Sequence, residues 1–205
     1  KILVLLDVHL IIHRAYHALP DFSTSSGRPT GALYGLASMV ISIVKDLNPD
    51  YVIACYDLPG GTFRTTMYTG YKAHRKELDG ALSEQIEGSR EILSALSIPL
   101  YEVKGFEADD LLGTISEKLK KDKENEIIIA SGDMDTLQLV DAKKVKVFTL
   151  KRGLTDTVIY DESTVVERFG FKPELLPDYK GLRGDPSDNI IGIPGIGEKT
   201  ATTLI

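Results

Sequence analysis

Short apolar runs alternate with longer stretches of helical spacing along the first two thirds of the chain. Residues 2–6, 51–56, 98–103 and 126–130 form four runs too short for helices and rich in β-branched residues or Tyr, so they read as buried strands. Between them, residues 33–47, 82–96 and 109–121 repeat apolar positions at helical intervals, and the last stretch ends in lysines that suit a helix C-terminus. Strand, helix, strand alternation predicts an α/β fold with a mainly parallel sheet covered by helices on both faces. Residues 145–150 and 154–160 read as two further strands at a sheet edge.

After Asp161 the pattern changes. Asp161-Glu162-Ser163 starts a short helix ending near Phe169-Gly170, Pro173 opens another, and Gly192-Ile193-Pro194-Gly195-Ile196-Gly197 is a tight turn before a final helix. The expected organisation is a core over residues 1–160 and a small helical module over 161–205. No internal repeat or low-complexity stretch interrupts it.

Composition narrows the class. A chain of 205 residues with 42% hydrophobic content can bury one α/β core and a small module. Cys55 is the only cysteine, which excludes an intrachain disulfide, and its apolar surroundings point to a buried thiol. The apolar start is broken by Asp7 and His9, with no small-residue cleavage site, and no uninterrupted apolar stretch is long enough for a membrane helix. A cytoplasmic location without membrane partners is expected. The absence of an initiator Met and the apolar ending Ala201-Thr202-Thr203-Leu204-Ile205 predict a segment of a longer protein.

The net charge of −6 argues at first against nucleic acid. The placement of the acids changes that reading. Asp7 follows the first strand, Asp57 the second, Glu107 with Asp109 and Asp110 the third, and Asp133 with Asp135 the fourth. In an open parallel sheet, residues after strands share the edge where ligands bind. Any one of these acids could be a helix N-cap or a solvated loop residue. Their joint occurrence after four strands implies a shared cation, because packed carboxylates raise one another's pKa unless cations join them. Oxygen donors of this type suit Mg²⁺ or Mn²⁺, and a pair of such ions is a known solution for phosphodiester hydrolysis.

Basic residues leave the same edge. Thr62-Phe63-Arg64 is followed by Tyr71-Lys72-Ala73-His74-Arg75-Lys76. As a helix, this run would put Lys72, Arg75 and Lys76 on one face to hold a phosphate, with Tyr71 free to stack on a base. A solvated basic face is the competing reading. Arg14 is a second candidate phosphate ligand. His9, His13, His17 and His74 lack metal-ligand spacing and read as ordinary histidines. The turn at 192–199 lacks P-loop spacing, yet glycines before a helix leave N–H groups free for a phosphate oxygen. Asp185 and Asp188 just before it are either further metal ligands or turn caps.

Five ordered blocks over essentially the whole chain resemble the 5′ to 3′ exonuclease and flap endonuclease family, in particular the 5′ nuclease domain of bacterial DNA polymerase I. They are Leu6-Asp7 with Arg14-Ala15-Tyr16-His17; Tyr56-Asp57 with Thr62-Phe63-Arg64 and Tyr71 to Arg75; Glu107-Ala108-Asp109-Asp110; Gly132-Asp133 with Asp135 and Gln138-Leu139-Val140; and Gly184-Asp185 with Ser187-Asp188-Asn189-Ile190, then Gly195 to Ala201. The resemblance implies a PIN-like α/β nuclease core with a helical arch segment at about residues 70–90, and a helix-hairpin-helix type (H3TH) module that grips duplex DNA. It implies that Asp7, Asp57, Glu107, Asp109, Asp110, Asp133, Asp135, Asp185 and Asp188 bind two or more Mg²⁺ or Mn²⁺ ions. Asp7, Asp57, Asp133 and Asp135 would serve catalysis directly, with Lys72 and Arg75 on the scissile phosphate. Arg14, Arg64, Tyr71, Gly195, Gly197 and Lys199 would contact DNA, with a K⁺ at the glycine turn. The implied partner is DNA with a 5′ end, flap or nick, bound by a monomer, with a polymerase in the same chain as a further expectation.

Val8 departs from the family pattern, where glycine usually follows the first aspartate. Met134 replaces a basic residue, Ile191 replaces a proline, and the segment after Arg75 lacks the family's prolines. None removes an implied ligand. The competing functions are a PIN-type endoribonuclease, against which the hairpin module counts, and a catalytically silent binder of branched DNA, which would have lost acids or the basic pair. An aspartate-nucleophile phosphatase has no use for the terminal module.

Overall fold

The structure, a computed structural model, describes residues 1–75, 78–142, 144–152 and 156–205. Six strands form one sheet: β1 (Ile2–Asp7), β2 (Tyr51–Cys55), β3 (Leu100–Tyr101), β4 (Glu126–Ala130), β5 (Val145–Arg152) and β6 (Asp156–Tyr160). Their spatial order is β3-β2-β1-β4-β5-β6, parallel except for the antiparallel β5 and β6 pair. The expected edge strands are therefore present, and residues 154 and 155 of the expected run lie outside the described residues. β3 is shorter than its apolar run because it pairs only with β2, through Leu100 and Tyr101.

Alternation along the strands fills both faces. Val4 and Leu6 of β1 face one core with Ile12, Leu36, Ile43 and Leu93, contributed by α1 (Val8–Ala18), α2 (Gly31–Leu47) and α4 (Gly80–Ala95). Leu3 and Leu5 face the other, with Leu112 of α5 (Ala108–Leu119) and Leu137 of a 3₁₀ turn (Met134–Leu139). Period-2 side-chain direction makes this two-sided burial possible, and it explains why the strands read as continuous apolar runs. The three helices anticipated between strands are all present, each beginning slightly earlier than its apolar pattern. α4 does so because Asp79 caps it by accepting from the Ala81 N–H.

The C-terminal segment packs on this second core. α6 (Glu162–Phe169) ends at Gly170, whose φ of 84° is the left-handed cap favoured by glycine. A 3₁₀ turn at Pro173–Leu175 leads into α7 (Leu176–Arg183), and α8 (Glu198–Leu204) closes the chain. Val165, Phe171, Tyr179 and Ala201 bury themselves with the inner strand residues. Among the described residues, no helix is long and apolar enough to cross a membrane.

Residues 71–75 are not helical. They form a series of turns, with Lys72 at φ 54° and N–H bonds from Tyr71 to Tyr68 O, Ala73 to Gly70 O and Arg75 to Lys72 O. The expectation of one helical face therefore fails here, because the Lys72 N–H is drawn across to Asp188 O at 3.1 Å. Lys76 lies outside the described residues. A short helix α3 (Phe63–Met67) precedes this segment.

Gly184 and Gly192 let the loop carrying Asp185 and Asp188 fold tightly against the end of α7. A Cβ on Gly192 would sit 2.2 Å from Arg183 C and Gly184 N, and Gly184 has a φ of 82°. Gly192→Ala is expected to cost about 2 kcal/mol or more. Urea unfolding checks this, and an unchanged midpoint would contradict the close backbone contact.

Candidate metal centre and nucleic-acid interface

The strand order reverses direction between β1 and β4, so the crevice at their C-terminal ends lies between Asp7 and Asp133. Asp7 ends β1 and caps α1, its carboxylate accepting from the Leu10 N–H at 3.2 Å and from Ser131 Oγ at 2.8 Å. Asp133 caps the 3₁₀ turn by accepting from the Asp135 N–H at 2.8 Å. Asp57 accepts from the Ala108 N–H at 2.7 Å, tying the end of β2 to the start of α5. That N-terminus places Glu107 and Asp109 beside the same crevice. Asp7, Asp57, Glu107, Asp109 and Asp133 line one cleft of about 730 Å³, together with Lys72 and Arg75.

Burial and repulsion dominate the electrostatics of this group. Desolvation, with the charges of Asp57 and Asp133 added, raises Asp7 to about 7, although its hydrogen bonds from Ser131 and Leu10 oppose the shift. Desolvation, followed by repulsion from Asp7, Asp133 and Asp57, raises Asp109 to about 8. These acids suit a cation because the fold gathers them with too little opposing charge.

Asp135, Asp185 and Asp188 form a second group, each offering an oxygen within 4.8 Å of the others. Desolvation and the charge of Asp133 raise Asp135 to about 6. For Asp185, burial pushes upward, but hydrogen bonds from Lys180 and Ser187 outweigh it and hold the carboxyl at about 2. Lys180 on α7 donates to Asp185 Oδ2 at 2.6 Å and also to Asp135 Oδ1. Asp109 lies at the wall between the main cleft and a groove of about 490 Å³ that reaches Asp135.

The cations pair with specific acids. Lys72 Nζ donates to Glu107 Oε2 at 2.9 Å, and Arg75 Nη2 donates to Asp188 Oδ1 at 2.9 Å. Arg64 grips Asp110 through two hydrogen bonds of 2.7 Å, while Asp110 also accepts from the Glu107 N–H. For Asp110, burial pushes upward, but this pair outweighs it and keeps the carboxyl below the usual range. Asp110 is thus committed to Arg64 rather than open as a ligand, and the same pairing turns Arg64, expected to contact DNA, toward the protein. Tyr71 is 8% exposed, donates to Glu107 Oε2 at 3.0 Å and carries Lys72 Nζ 4.8 Å from its ring centroid. It supports Glu107 and Lys72 instead of presenting a free ring face to a base.

Arg14 lies half-buried on α1, one residue beyond His13, which lines the cleft. Gly195 and Gly197 are exposed in the turn before α8, and Lys199 is exposed in the first turn of that helix. Sequence reasoning missed Ser131 and Lys180. It also read His9 as ordinary, whereas His9 Nδ1 accepts from the Asp57 N–H at 3.2 Å, and burial lowers its affinity for a proton. Lys180, five residues before Asp185, could have been found by asking which basic residue lies one helical turn behind an acidic loop.

Without ions, the folded protein holds protons on Asp7 and Asp109 that an unfolded chain, with carboxyls near 3.8, has released. Folded stability therefore falls as pH rises from about 4 through 8 on account of these groups. His9 and His13, held below their usual value of 6.5, act oppositely only up to about that pH. In EDTA, Asp109→Asn should raise Tm by roughly 2–8 °C near pH 8.5, for about 1–2 kcal/mol, and by less near pH 6. Thermal scans at the two pH values check this; equal shifts would contradict the raised proton affinity of Asp109.

Known proteins share this arrangement at two levels. The family model described as 5′-3′ exonuclease, N-terminal resolvase-like domain, matches residues 2–170, and the model described as 5′-3′ exonuclease, C-terminal SAM fold, matches residues 171–205. DNA polymerase I of Bacillus subtilis is 40% identical over 205 residues, covering 100% of this chain and 23% of the relative. DNA polymerase I of Caldicellulosiruptor bescii is 41% identical over 204 residues, covering 99% of this chain and 24% of the relative. The chain thus spans less than a quarter of the length of these curated relatives. A solved structure of T5 5′-exonuclease with divalent metal ions (zinc) bound superposes with a TM-score of 0.78 at 24% identity, covering 100% of this chain and 74% of that one. Human GEN1 in complex with Holliday junction DNA superposes with a TM-score of 0.62 at 17% identity, covering 98% and 49% respectively. At these identities the structures share the fold, a mixed sheet flanked by helices with a helical C-terminal part. With family models matching both of its parts, the chain belongs to the 5′-3′ exonuclease family, built as a resolvase-like, PIN-like domain followed by a SAM-fold segment.

Proposed function

We propose that this chain is a structure-specific 5′ nuclease that hydrolyses DNA phosphodiester bonds near 5′ ends and flaps with divalent ions, in primer or flap removal during replication and repair. The observation that carries the proposal is one cleft lined by Asp7, Asp57, Glu107, Asp109 and Asp133 with Lys72 and Arg75 beside them. The donor chemistry fits Mg²⁺ or Mn²⁺, since carboxylates whose proton affinity is raised by crowding become good oxygen ligands once a divalent charge joins them. Asp7, Asp109 and Asp133, with Asp57 and Glu107 at the rim, would hold one ion. Asp135, Asp185 and Asp188 would hold a second. Such ions, when bound, supply a water of lowered pKa and charge stabilisation at the scissile phosphate.

The chain's own residues orient the substrate. Lys72 and Arg75 already face carboxylates that divalent charge would satisfy, so both can turn to a phosphate, held by Tyr71 and Glu107 on one side and Asp188 on the other. Arg64 acts through Asp110, fixing the start of α5 and with it Asp109. The turn bearing Gly195, Gly197 and Lys199 would meet the duplex backbone with a K⁺, while Arg14 offers a further phosphate contact. This division assigns cleavage to residues 1–160 and duplex grip to 161–205. None of these groups reads base edges, so recognition rests on junction shape and a 5′ end.

Two superposed structures agree with this reading: one holds zinc and another holds Holliday junction DNA. Because the curated relatives are DNA polymerase I proteins several times longer, a polymerase in the same chain is part of the proposal, as are a monomeric state and a cytoplasmic location.

The test is cleavage of an end-labelled 5′-flap duplex with Mg²⁺ and with EDTA, beside a matched single-stranded RNA. Metal-dependent cutting near the junction is expected. Asp133→Asn and Lys72→Ala should each reduce the cleavage rate by about 10²-fold or more while flap binding persists. RNA cutting alone would support a PIN-type endoribonuclease instead, and tight binding without cutting would support a silent junction binder.

A further inference from the structure

Lys180 belongs to none of the roles described above, yet it contacts two acids of the second group. Its Nζ donates to Asp185 Oδ2 at 2.6 Å and to Asp135 Oδ1, bridging the end of the β4 segment to the C-terminal loop. The side chain is 28% exposed, and the carboxylates it bridges are 24% and 9% exposed, so solvent screens the contact only partly. Asp188, the third member, is engaged by Arg75. Each carboxylate of this group therefore has an internal cation beside it. A divalent ion can enter only by replacing the contacts made by Lys180.

The surroundings allow that replacement. A cavity of about 220 Å³ opens beside Lys180, bounded by Met134, Phe169, Tyr179 and Arg183 as well as by the two acids. It is large enough for several waters and for a lysine head group leaving the carboxylates. Lys180 is held by α7, whose end is fixed by the Gly184 N–H bond to Lys180 O at 2.8 Å. Its backbone can therefore stay in place while the flexible four-carbon stem moves.

We propose that Lys180 is a positioning residue that acts as a tethered counter-cation: it keeps Asp135 and Asp185 together without metal and weakens binding of the second divalent ion by competing for their oxygens. The inference rests on the metal-centre reading above. It makes loading sequential. Among the described residues, the group around Asp7, Asp109 and Asp133 has no such lysine bridge and takes an ion first, whereas the group around Asp135, Asp185 and Asp188 fills only when Lys180 is displaced.

Mn²⁺ binding to the DNA-free protein, followed by calorimetry, tests this without reference to cleavage. Lys180→Met should bind the second Mn²⁺ about tenfold tighter than wild type, because a unit charge within a few ångströms no longer opposes the ion. Lys180→Arg, which keeps the charge, should stay near wild type, and Asp185→Asn in the Lys180→Met background should lose the second ion. On the wild-type protein, acetylation of Lys180 read by mass spectrometry should be slow in EDTA and several-fold faster at saturating Mn²⁺; this arm is independent of whether the variants fold. A second ion that binds Lys180→Met no tighter, or Lys180 reactivity unchanged by Mn²⁺, would overturn the counter-cation role while leaving the metal centre intact. Absence of a second ion in every variant would overturn the metal-centre reading and this inference with it.

Discussion

Repulsion among carboxylates is the constraint around which this molecule is arranged. Four parallel strands deliver acids to one edge of the sheet, and the reversal of strand order between β1 and β4 sets Asp7 and Asp133 across a single crevice. Two apolar cores, one on each face, hold that edge rigid, so the acids cannot separate to relieve their repulsion. Burial, with the repulsion of neighbouring acids added, raises the proton affinities of Asp7 and Asp109. Four described cations then have defined places: Arg64 on Asp110, Lys72 on Glu107, Arg75 on Asp188, and Lys180 between Asp135 and Asp185.

The same constraint joins the two parts of the chain. The Lys72 N–H donates to Asp188 O at 3.1 Å, Asn189 Nδ2 donates to Gly70 O at 2.7 Å, and Tyr68 Oη donates to Asn189 O at 3.1 Å. Lys72 and Asn189 both adopt positive φ, 54° and 60°, a conformation that non-glycine residues hold only when neighbours fix it. The segment bearing Lys72 and Arg75 is thereby locked to the loop bearing the second acid group. Gly184 and Gly192 pack that loop against α7 with almost no space between backbones, so the lock extends to the terminal turn.

Much of the fold was legible because its signals are periodic. Apolar runs marked the strands, helical spacing marked α2, α4 and α5, and acids after four strands located the cleft. The ordered blocks from Leu6-Asp7 to Gly195-Ile196-Gly197 pointed to the family. What could not be read was how charged side chains pair across long sequence separations. Asp110 looked like any other strand-end acid, but Arg64, 46 residues earlier, claims it. Tyr71 looked like a stacking residue, yet Glu107 draws its hydroxyl into the protein. The helix expected over 71–75 failed because tertiary bonding to Asp188 overrode a weak local preference. Lys180 carried no motif at all, and its role appears only once α7 is folded beside Asp135.

The most direct measurement is anomalous scattering from crystals of this protein soaked in Mn²⁺. Two peaks are predicted, one among Asp7, Asp109 and Asp133 and one among Asp135, Asp185 and Asp188, with Lys180 Nζ moved off its carboxylates at the second. A fully occupied Mn²⁺ bound elsewhere, with both acid groups empty and their internal ion pairs unchanged, would contradict the account.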